Sequence, residues 1–278
     1  MRFKSNLHTH TTYCDGEATV EEMVAVAALK GYESIGFCEH AYVDFDKHFS
    51  MTLDETEKYI NEVSNIKKDF NGFMDIFLGC EYDLYSSNTD LSKFDYIVGA
   101  VHYLKINDGF ICFDETESAI KRNVNTYFEG DFYKYTKEYY RLICELADKV
   151  DIDIITHFDL VSKFNFKNKF FDETNTKYLF PALEAAEHLI KKGIVFEIDT
   201  GGMYKKCKTK PYPNMLILGA IKNFGGKVTI SADSHTLNSI GYGFDAAIKY
   251  ARDCGYKSIS KFTKNGFEEV SITKDNYF

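Results

Sequence analysis

Residues 34–40 read Ser-Ile-Gly-Phe-Cys-Glu-His. An uncharged run of strand length ends in a carboxylate and an imidazole. Read outward from there, the same pattern recurs along the chain. Runs at 3–8, 74–80, 94–101, 152–156, 194–198 and 227–231 are also strand-like, rich in β-branched and aromatic residues. His8 and His10 end the first run, and His40 follows the second. Glu81, His102 and His157 follow the third, fourth and fifth. Asp199 ends the sixth, and Asp233 and His235 follow the seventh.

Helical stretches separate these runs. One starts at Thr19, has Glu21 and Glu22 in its first turn, and has Gly31 placed to end it. Others are expected over 54–70, 115–128, 131–149, 173–192, 214–223 and 244–253. The tail after Lys257 is ambiguous and is expected to give at most a short terminal strand. Apolar strands without polar alternation suit a parallel sheet buried on both faces, and alternation with helices gives the α/β class. In a β/α barrel the C-terminal strand ends converge on one site, whereas a doubly wound sheet spreads them along an edge. Ligand-type residues at seven successive strand ends therefore favour a barrel. Six of the eight histidines lie at these ends. Independent structural histidines would not sort that way. Of the other two, His188 falls within a helix and reads as structural. His48 sits beside Asp44 and Asp46 in a loop that could line the mouth of the site.

His8-Thr9-His10 places two imidazoles at i and i+2, on one side of a strand, so that both can reach one metal. Asp233-Ser234-His235 repeats the spacing with a carboxylate. Mixed imidazole and carboxylate ligands suit Zn, Fe or Mn, and carboxylates can bridge two ions. Gly79-Cys80 before Glu81 is expected to allow close approach to a crowded centre. Taken singly, His40, His102 or His157 reads as an ordinary part-buried histidine, Glu81 as a surface carboxylate and Asp15 as a turn former before Gly16. Cys14 is a possible soft ligand, but the oxygen and nitrogen groups around it are the better set.

The bulk properties narrow the function further. The chain has 278 residues and a net charge of -9, so it repels phosphate backbones, and nucleic acid is not an expected partner. No apolar run reaches the roughly 20 residues of a membrane span, and the first residues lack a signal-peptide core, which points to the cytoplasm. Seven cysteines without a C-x-x-C pair suggest reduced, mostly buried thiols. With three prolines and no linker-like segment, residues 1–278 read as one domain.

Taken in order, His8-Thr9-His10 with Asp15-Gly16, Glu39-His40, Gly79-Cys80-Glu81, Ala100-Val101-His102, His157-Phe158-Asp159 and Ala232-Asp233-Ser234-His235 resemble the polymerase and histidinol phosphatase (PHP) superfamily. Asp108-Gly109-Phe110, the tyrosine-rich 127–140 region, Glu197-Ile198-Asp199-Thr200, Tyr212-Pro213 and Ile240-Gly241 are similar to its monofunctional histidinol-phosphatases. The resemblance implies a distorted (β/α)7 TIM-like barrel with a metal centre at the C-terminal strand ends that holds two or three divalent ions and is trinuclear when full. It assigns His8, His10, Glu81 and Asp233 to one ion. Glu81, shared, joins His102 and His157 on a second, and Asp15, His40 and His235 hold the third. It implies a metal-dependent phosphatase acting on L-histidinol phosphate in histidine biosynthesis. Asp159 and Asp199 are then candidate proton donors, with an orienting role open for each. Lys163, Lys205 and Lys206 are candidate phosphate contacts. The chain departs from the family in carrying Asp199 where asparagine is usual, and lysines where arginine often follows. Another small phosphate ester or nucleotide as substrate, and a non-catalytic metal-binding module, are the competing readings.

Overall fold

The computed structural model describes residues 3–273. In chain order the elements are β1 (Ser5–Asn6), α1 (Val20–Leu29), β2 (Ser34–His40), α2 (Leu53–Asp69), β3 (Asp75–Asp83), β4 (Tyr96–Ala100), β5 (Tyr103–Ile106), β6 (Gly109–Cys112), α3 (Glu117–Tyr127), α4 (Phe132–Lys149) and β7 (Ile154–Ile155). They continue with α5 (Thr176–Lys191), β8 (Val195–Asp199), α6 (Gly201–Tyr204), α7 (Met215–Asn223), β9 (Val228–Ser231), α8 (Phe244–Asp253), β10 (Ser258–Thr263) and β11 (Gly266–Ser271). The helix starts follow side-chain chemistry. Thr19 and Thr52 each form a capping box, with Glu22 and Glu55 respectively. Gly31 leaves α1 at φ +70°, a conformation that L side chains rarely adopt.

Seven strands pair in parallel in the order β1-β2-β3-β4-β7-β8-β9. The two ends of this sheet meet at one point. Thr9 and Ser234 form a parallel bridge, in which the His10 N–H donates to the Ser234 carbonyl (2.8 Å) and the Ser234 N–H to the His8 carbonyl (3.0 Å). The result is a nearly closed seven-stranded barrel, the TIM-like architecture expected from the strand ends. The closing bridge lies between the two segments that carry His8, His10, Asp233 and His235, so the contact that closes the barrel also brings these four side chains together.

Period-two alternation sorts the strand side chains. Ile76, Leu78 and Cys80 join the outer core packed by the helices. Leu7, Cys38, Phe77, Tyr96, Val98, Ile154 and Val195 form a separate inner cluster. The inward rows continue to Glu81 on β3 and to Glu197 and Asp199 on β8. Tyr96 crosses the interior, and its hydroxyl donates to the Leu7 carbonyl at 2.5 Å, with the Phe37 carbonyl at 3.1 Å. A Cβ at Gly36 would lie 2.4 Å from the Tyr96 hydroxyl oxygen, and one at Gly79 would lie 2.3 Å from the ring. The smallness of Gly79 thus serves Tyr96, not the close approach to a metal centre that the sequence suggested.

Some elements differ from expectation. The first strand is two residues long, because the chain leaves the sheet to make the closing bridge at Thr9. The fifth barrel strand is also two residues, since the Asp153 carboxylate takes the Ile97 N–H (2.7 Å) at one end and His157 turns to φ +25° at the other. The tail forms a hairpin, β10–β11, rather than a single strand. Its Phe262 meets Phe77 edge-on at 5.0 Å and Tyr96 at a tilt at 5.3 Å, covering the inner cluster. A further antiparallel hairpin, β5–β6, follows β4 where the sequence carries no strand signal. All seven cysteines are free, but only Cys38 and Cys80 are buried. Among the described residues no helix is long and apolar enough to cross a membrane.

Candidate metal centre

His8 and His10 sit just past β1, and Glu81 lies on β3 at the level where the inward row reaches the top of the barrel. His8 Nε2 and His10 Nε2 are 3.0 Å apart. Glu81 Oε2 lies 3.4 and 3.3 Å from them, and Asp233 Oδ1 lies 3.5 and 3.3 Å away. The other Glu81 oxygen, Oε1, is 3.2 Å from His157 Nε2 and 3.7 Å from His102 Nε2. On the far side Asp15 Oδ2 is 3.1 Å from His235 Nε2, and Asp15 Oδ1 is 3.7 Å from His40 Nε2. His40 Nδ1 also approaches Glu81 Oε2, at 3.0 Å. The structure therefore brings together all nine ligand-type residues singled out in the sequence, with Glu81 between three sets. His10, Asp15, His40 and His235 form a group able to hold one cation, and His40, Glu81 and His102 form another.

Two of these residues carry backbone strain. His157 has φ +25° and Asp233 φ +43°, values uncommon outside glycine and typical of sites where side-chain aim overrides local preference. The orienting partners are equally specific. His8 Nδ1 faces Glu197 Oε1 at 2.9 Å, His102 Nδ1 faces Asp83 Oδ2 at 3.5 Å, and His235 Nδ1 faces the Asp233 carbonyl at 3.0 Å. Each such contact places the proton on Nδ1 and leaves the Nε2 lone pair free for a metal. His10 Nδ1 instead meets Cys14 Sγ at 3.4 Å, and the Cys14 thiol donates to Glu39 Oε2 at 2.6 Å. Cys14 thus stands behind an imidazole, although His10, Cys14 and Glu39 are also close enough together to hold a cation.

The electrostatics favour cations. Burial opposes ionisation of Glu81, yet the imidazoles of His40 and His8 hold its carboxyl well below the usual range. Burial likewise opposes charge on Asp233, and Lys205, His235 and His8 hold it low. In spite of burial His8 is pushed up by Cys38, Glu197, Glu81 and Asp233, and His10 by Cys14, Asp233 and Glu81. His102 is raised to about 9 against its burial, chiefly by Asp83 and Glu81. Glu81 Oε2 and His157 Nδ1 are buried without a hydrogen-bond partner. An orphaned carboxylate oxygen ringed by imidazoles, in a set of nitrogen and oxygen donors, fits divalent metal ions.

A cavity of about 1200 Å³ opens above this centre. Asp15, His40, Glu81, His102, His157, Asp233 and His235 line its floor, while His8 and His10 are buried. His48, Lys163, Lys205 and Asp199 also line it. His48 is exposed at the mouth, its N–H donating to Asp46 Oδ1 (3.1 Å). Lys205 Nζ is 3.0 Å from Asp233 Oδ2. Lys163 Nζ is paired with Asp114 Oδ2 at 2.8 Å. Asp199 is buried, and its carboxyl is pushed well above the usual range by burial and by the charges of Glu197 and Asp233. Two expectations are corrected. Asp159 does not line the cavity; it is buried to one side, accepting from the Asn214 N–H (2.9 Å). Its neighbourhood is the tyrosine layer between α4 and α5, with the Tyr178 hydroxyl 3.5 Å away. Lys206 is exposed and outside the lining, because α6 ends at Tyr204 and the chain turns to φ +58° at Lys206.

Sequence reasoning gave no role to Glu197, Asp83 or Asp114. Glu197 was the most accessible to it, since period two puts it on the same strand face as Asp199. A rim of Phe45, Tyr103 and Phe110 was also missed, with Phe45 and Phe110 stacked at 3.6 Å, because it depends on the unexpected hairpin.

Known proteins resemble this chain over most of its length. A "Probable histidinol-phosphatase" from Deinococcus radiodurans is 27% identical, the match covering 91% of this chain and 94% of that one. The histidinol-phosphatase of Bacillus subtilis is 24% identical over 88% and 98%. The crystal structure of a histidinol phosphate phosphatase from Lactococcus lactis, complexed with zinc, L-histidinol and phosphate, superposes with a TM-score of 0.71 at 21% identity, over 96% of this chain and all of that one. The family model for the PHP domain matches residues 6–201, from the end of the first barrel strand to the second residue after the sixth, and the chain belongs to that family.

Proposed function

We propose that this chain is a metal-dependent phosphomonoesterase that hydrolyses L-histidinol phosphate to L-histidinol and phosphate, a step of histidine biosynthesis. The observation that carries the reading is the gathering of eight ligand-type side chains around Glu81, with seven of the nine residues lining the floor of one cavity. The choice of substrate is supported by relatives named histidinol-phosphatases that match along nearly their full length. The single domain spans 1–278 in this reading. His8, His10, Glu81 and Asp233 would hold one divalent ion; Glu81, His102 and His157 a second; Asp15, His40 and His235 a third. Zn, Fe and Mn all suit these donors, and zinc is the metal in the Lactococcus lactis complex. When bound, such ions activate water and neutralise phosphate charge.

The protein's own groups have separable tasks. Lys205, at the cavity wall beside Asp233, is placed to meet a phosphate oxygen as a point charge. Lys163, whose Nζ donates to Asp114 Oδ2 (2.8 Å), lines the same cavity and has further N–H donors for a phosphate oxygen. Asp199, buried and favouring its protonated form, is the candidate donor to the leaving oxygen. The aromatic rim of Phe45, Tyr103 and Phe110 offers a face to an imidazole ring.

One observation favours a different phosphate ester. Asp199 and Lys205 stand where the family usually has asparagine and often arginine, and both line the cavity. Phosphate release from L-histidinol phosphate, beside a panel of sugar phosphates, nucleotides and aryl phosphates, separates the two readings. A preference for L-histidinol phosphate of about 100-fold or more in kcat/KM would support the assignment. Turnover of other esters alone would keep the hydrolase and discard the substrate.

A further inference from the structure

Most orienting partners of the ligand imidazoles serve one imidazole each. Asp83 faces His102, Cys14 faces His10, and the Asp233 carbonyl faces His235. Glu197 differs. Its Oε1 lies 2.9 Å from His8 Nδ1, and its Oε2 accepts from the His157 backbone N–H (3.3 Å) and from the Thr156 hydroxyl. Thr156 Oγ1 itself lies 3.1 Å from His8 Nδ1. Glu197 is 1% exposed and is absent from the cavity lining, so it is not placed to touch substrate. The two residues it grips are assigned to different ions.

We propose that Glu197 is a positioning residue that couples two of the metal sites, aiming the His8 ring with one oxygen and holding the backbone of His157 with the other. The inference rests on the metal-dependent reading above. Two acceptors facing Nδ1 keep the proton of His8 there and its Nε2 lone pair toward Glu81 and Asp233. The same carboxylate stabilises a backbone turned to φ +25°, and that turn sends the His157 Nε2 to Glu81 Oε1. No neutral isostere can do both. In Glu197→Gln the amide offers one acceptor and one donor group. If the oxygen faces His8, the NH₂ meets the His157 N–H, which can only donate, and Thr156 must turn its hydroxyl away to accept from the amide. If the NH₂ faces His8, the imidazole must move its proton to Nε2 and cannot bind metal.

The test is Zn(II) and Mn(II) binding to chelator-stripped full-length protein, read as ions bound per chain and as affinity, with melting of the metal-free protein alongside. Glu197→Gln is expected to bind fewer ions, or to bind them about 10- to 100-fold more weakly. A purely structural role would lower melting of the metal-free protein and leave affinity alone. Wild-type stoichiometry and affinity in Glu197→Gln would overturn the proposal while leaving the metal-dependent reading intact. Wild-type protein that takes up neither ion would overturn both. If Glu197→Gln does not fold, Thr156→Val decides, because it removes the hydroxyl touching both Glu197 and His8. About tenfold weaker binding is expected there, and unchanged binding overturns the proposal.

Discussion

Glu81 is the side chain on which the centre turns. One oxygen faces His8, His10 and His40, and the other faces His102 and His157. Glu81→Ala should remove bound metal and lower phosphate release by at least about 100-fold; full metal content and rate in that variant would discard the bridging role. Asp199 invites a finer test. As a proton donor it must be protonated, and its raised pKa means that activity should be lost as pH rises through that value. Asp199→Asn should slow hydrolysis of an alkyl phosphate about 10²- to 10⁴-fold. It should slow p-nitrophenyl phosphate far less, because that leaving group needs no proton. Equal losses on both esters would make Asp199 an orienting group instead. At this scale the sequence is legible where chemistry is repeated. Imidazoles and carboxylates at seven strand ends announce themselves as a set, and the structure brings all nine together. Residues acting behind the ligands, such as Glu197 and Asp83, were not recognised, since a single buried carboxylate has the same letter as a surface one.

The strands set the aim of these groups through period two, and the bottom of the barrel is arranged around one ring. Tyr96 occupies the volume that side chains at positions 36 and 79 would need. Gly79→Ala therefore over-packs the interior and should cost about 1–3 kcal/mol, measured by denaturant titration; an unchanged midpoint would show that the ring can yield. Phe262 of β10 covers the same cluster, so Phe262→Ala should cost about 3 kcal/mol although it lies far along the chain from every site residue. Most elements were readable within a few residues, because apolar runs, capping threonines and Gly31 are local signals. The two hairpins were not. The β5–β6 pair has no strong alternation, and the tail gains its strands by covering Phe77 and Tyr96, a contact that no local window contains. The length of β7 was also hidden, because Asp153 ends its ladder with a side chain.

At the scale of the whole molecule, the barrel closes where its metal ligands meet, so occupancy of the centre and global stability should be linked. Addition of Zn(II) or Mn(II) should raise the melting temperature, in proportion to the logarithm of free metal above its Kd. A second global signature comes from Asp159, which burial raises from 3.8 to about 6, with Lys208 opposing. The native state then keeps a proton that the unfolded chain has lost. This contribution to stability is full below the unfolded value and disappears as pH rises through about 6. In metal-free protein Asp159→Asn should therefore be more stable than wild type at pH 8, by up to about 3 kcal/mol, with the gap closing toward pH 4. A gap independent of pH would place the effect in packing. The barrel and its catalytic face were both legible from the order of strand ends. Asp159 was misplaced for a global reason, since the turn after His157 sends it into the tyrosine layer rather than the cavity. The most direct test of the central claim follows bound metal and phosphate release from L-histidinol phosphate on the same sample as ions are returned to stripped protein. The account predicts no release without metal and turnover that appears as two or more ions per chain are bound; release from ion-free protein, or a full metal load with no turnover of any phosphate ester, would contradict it.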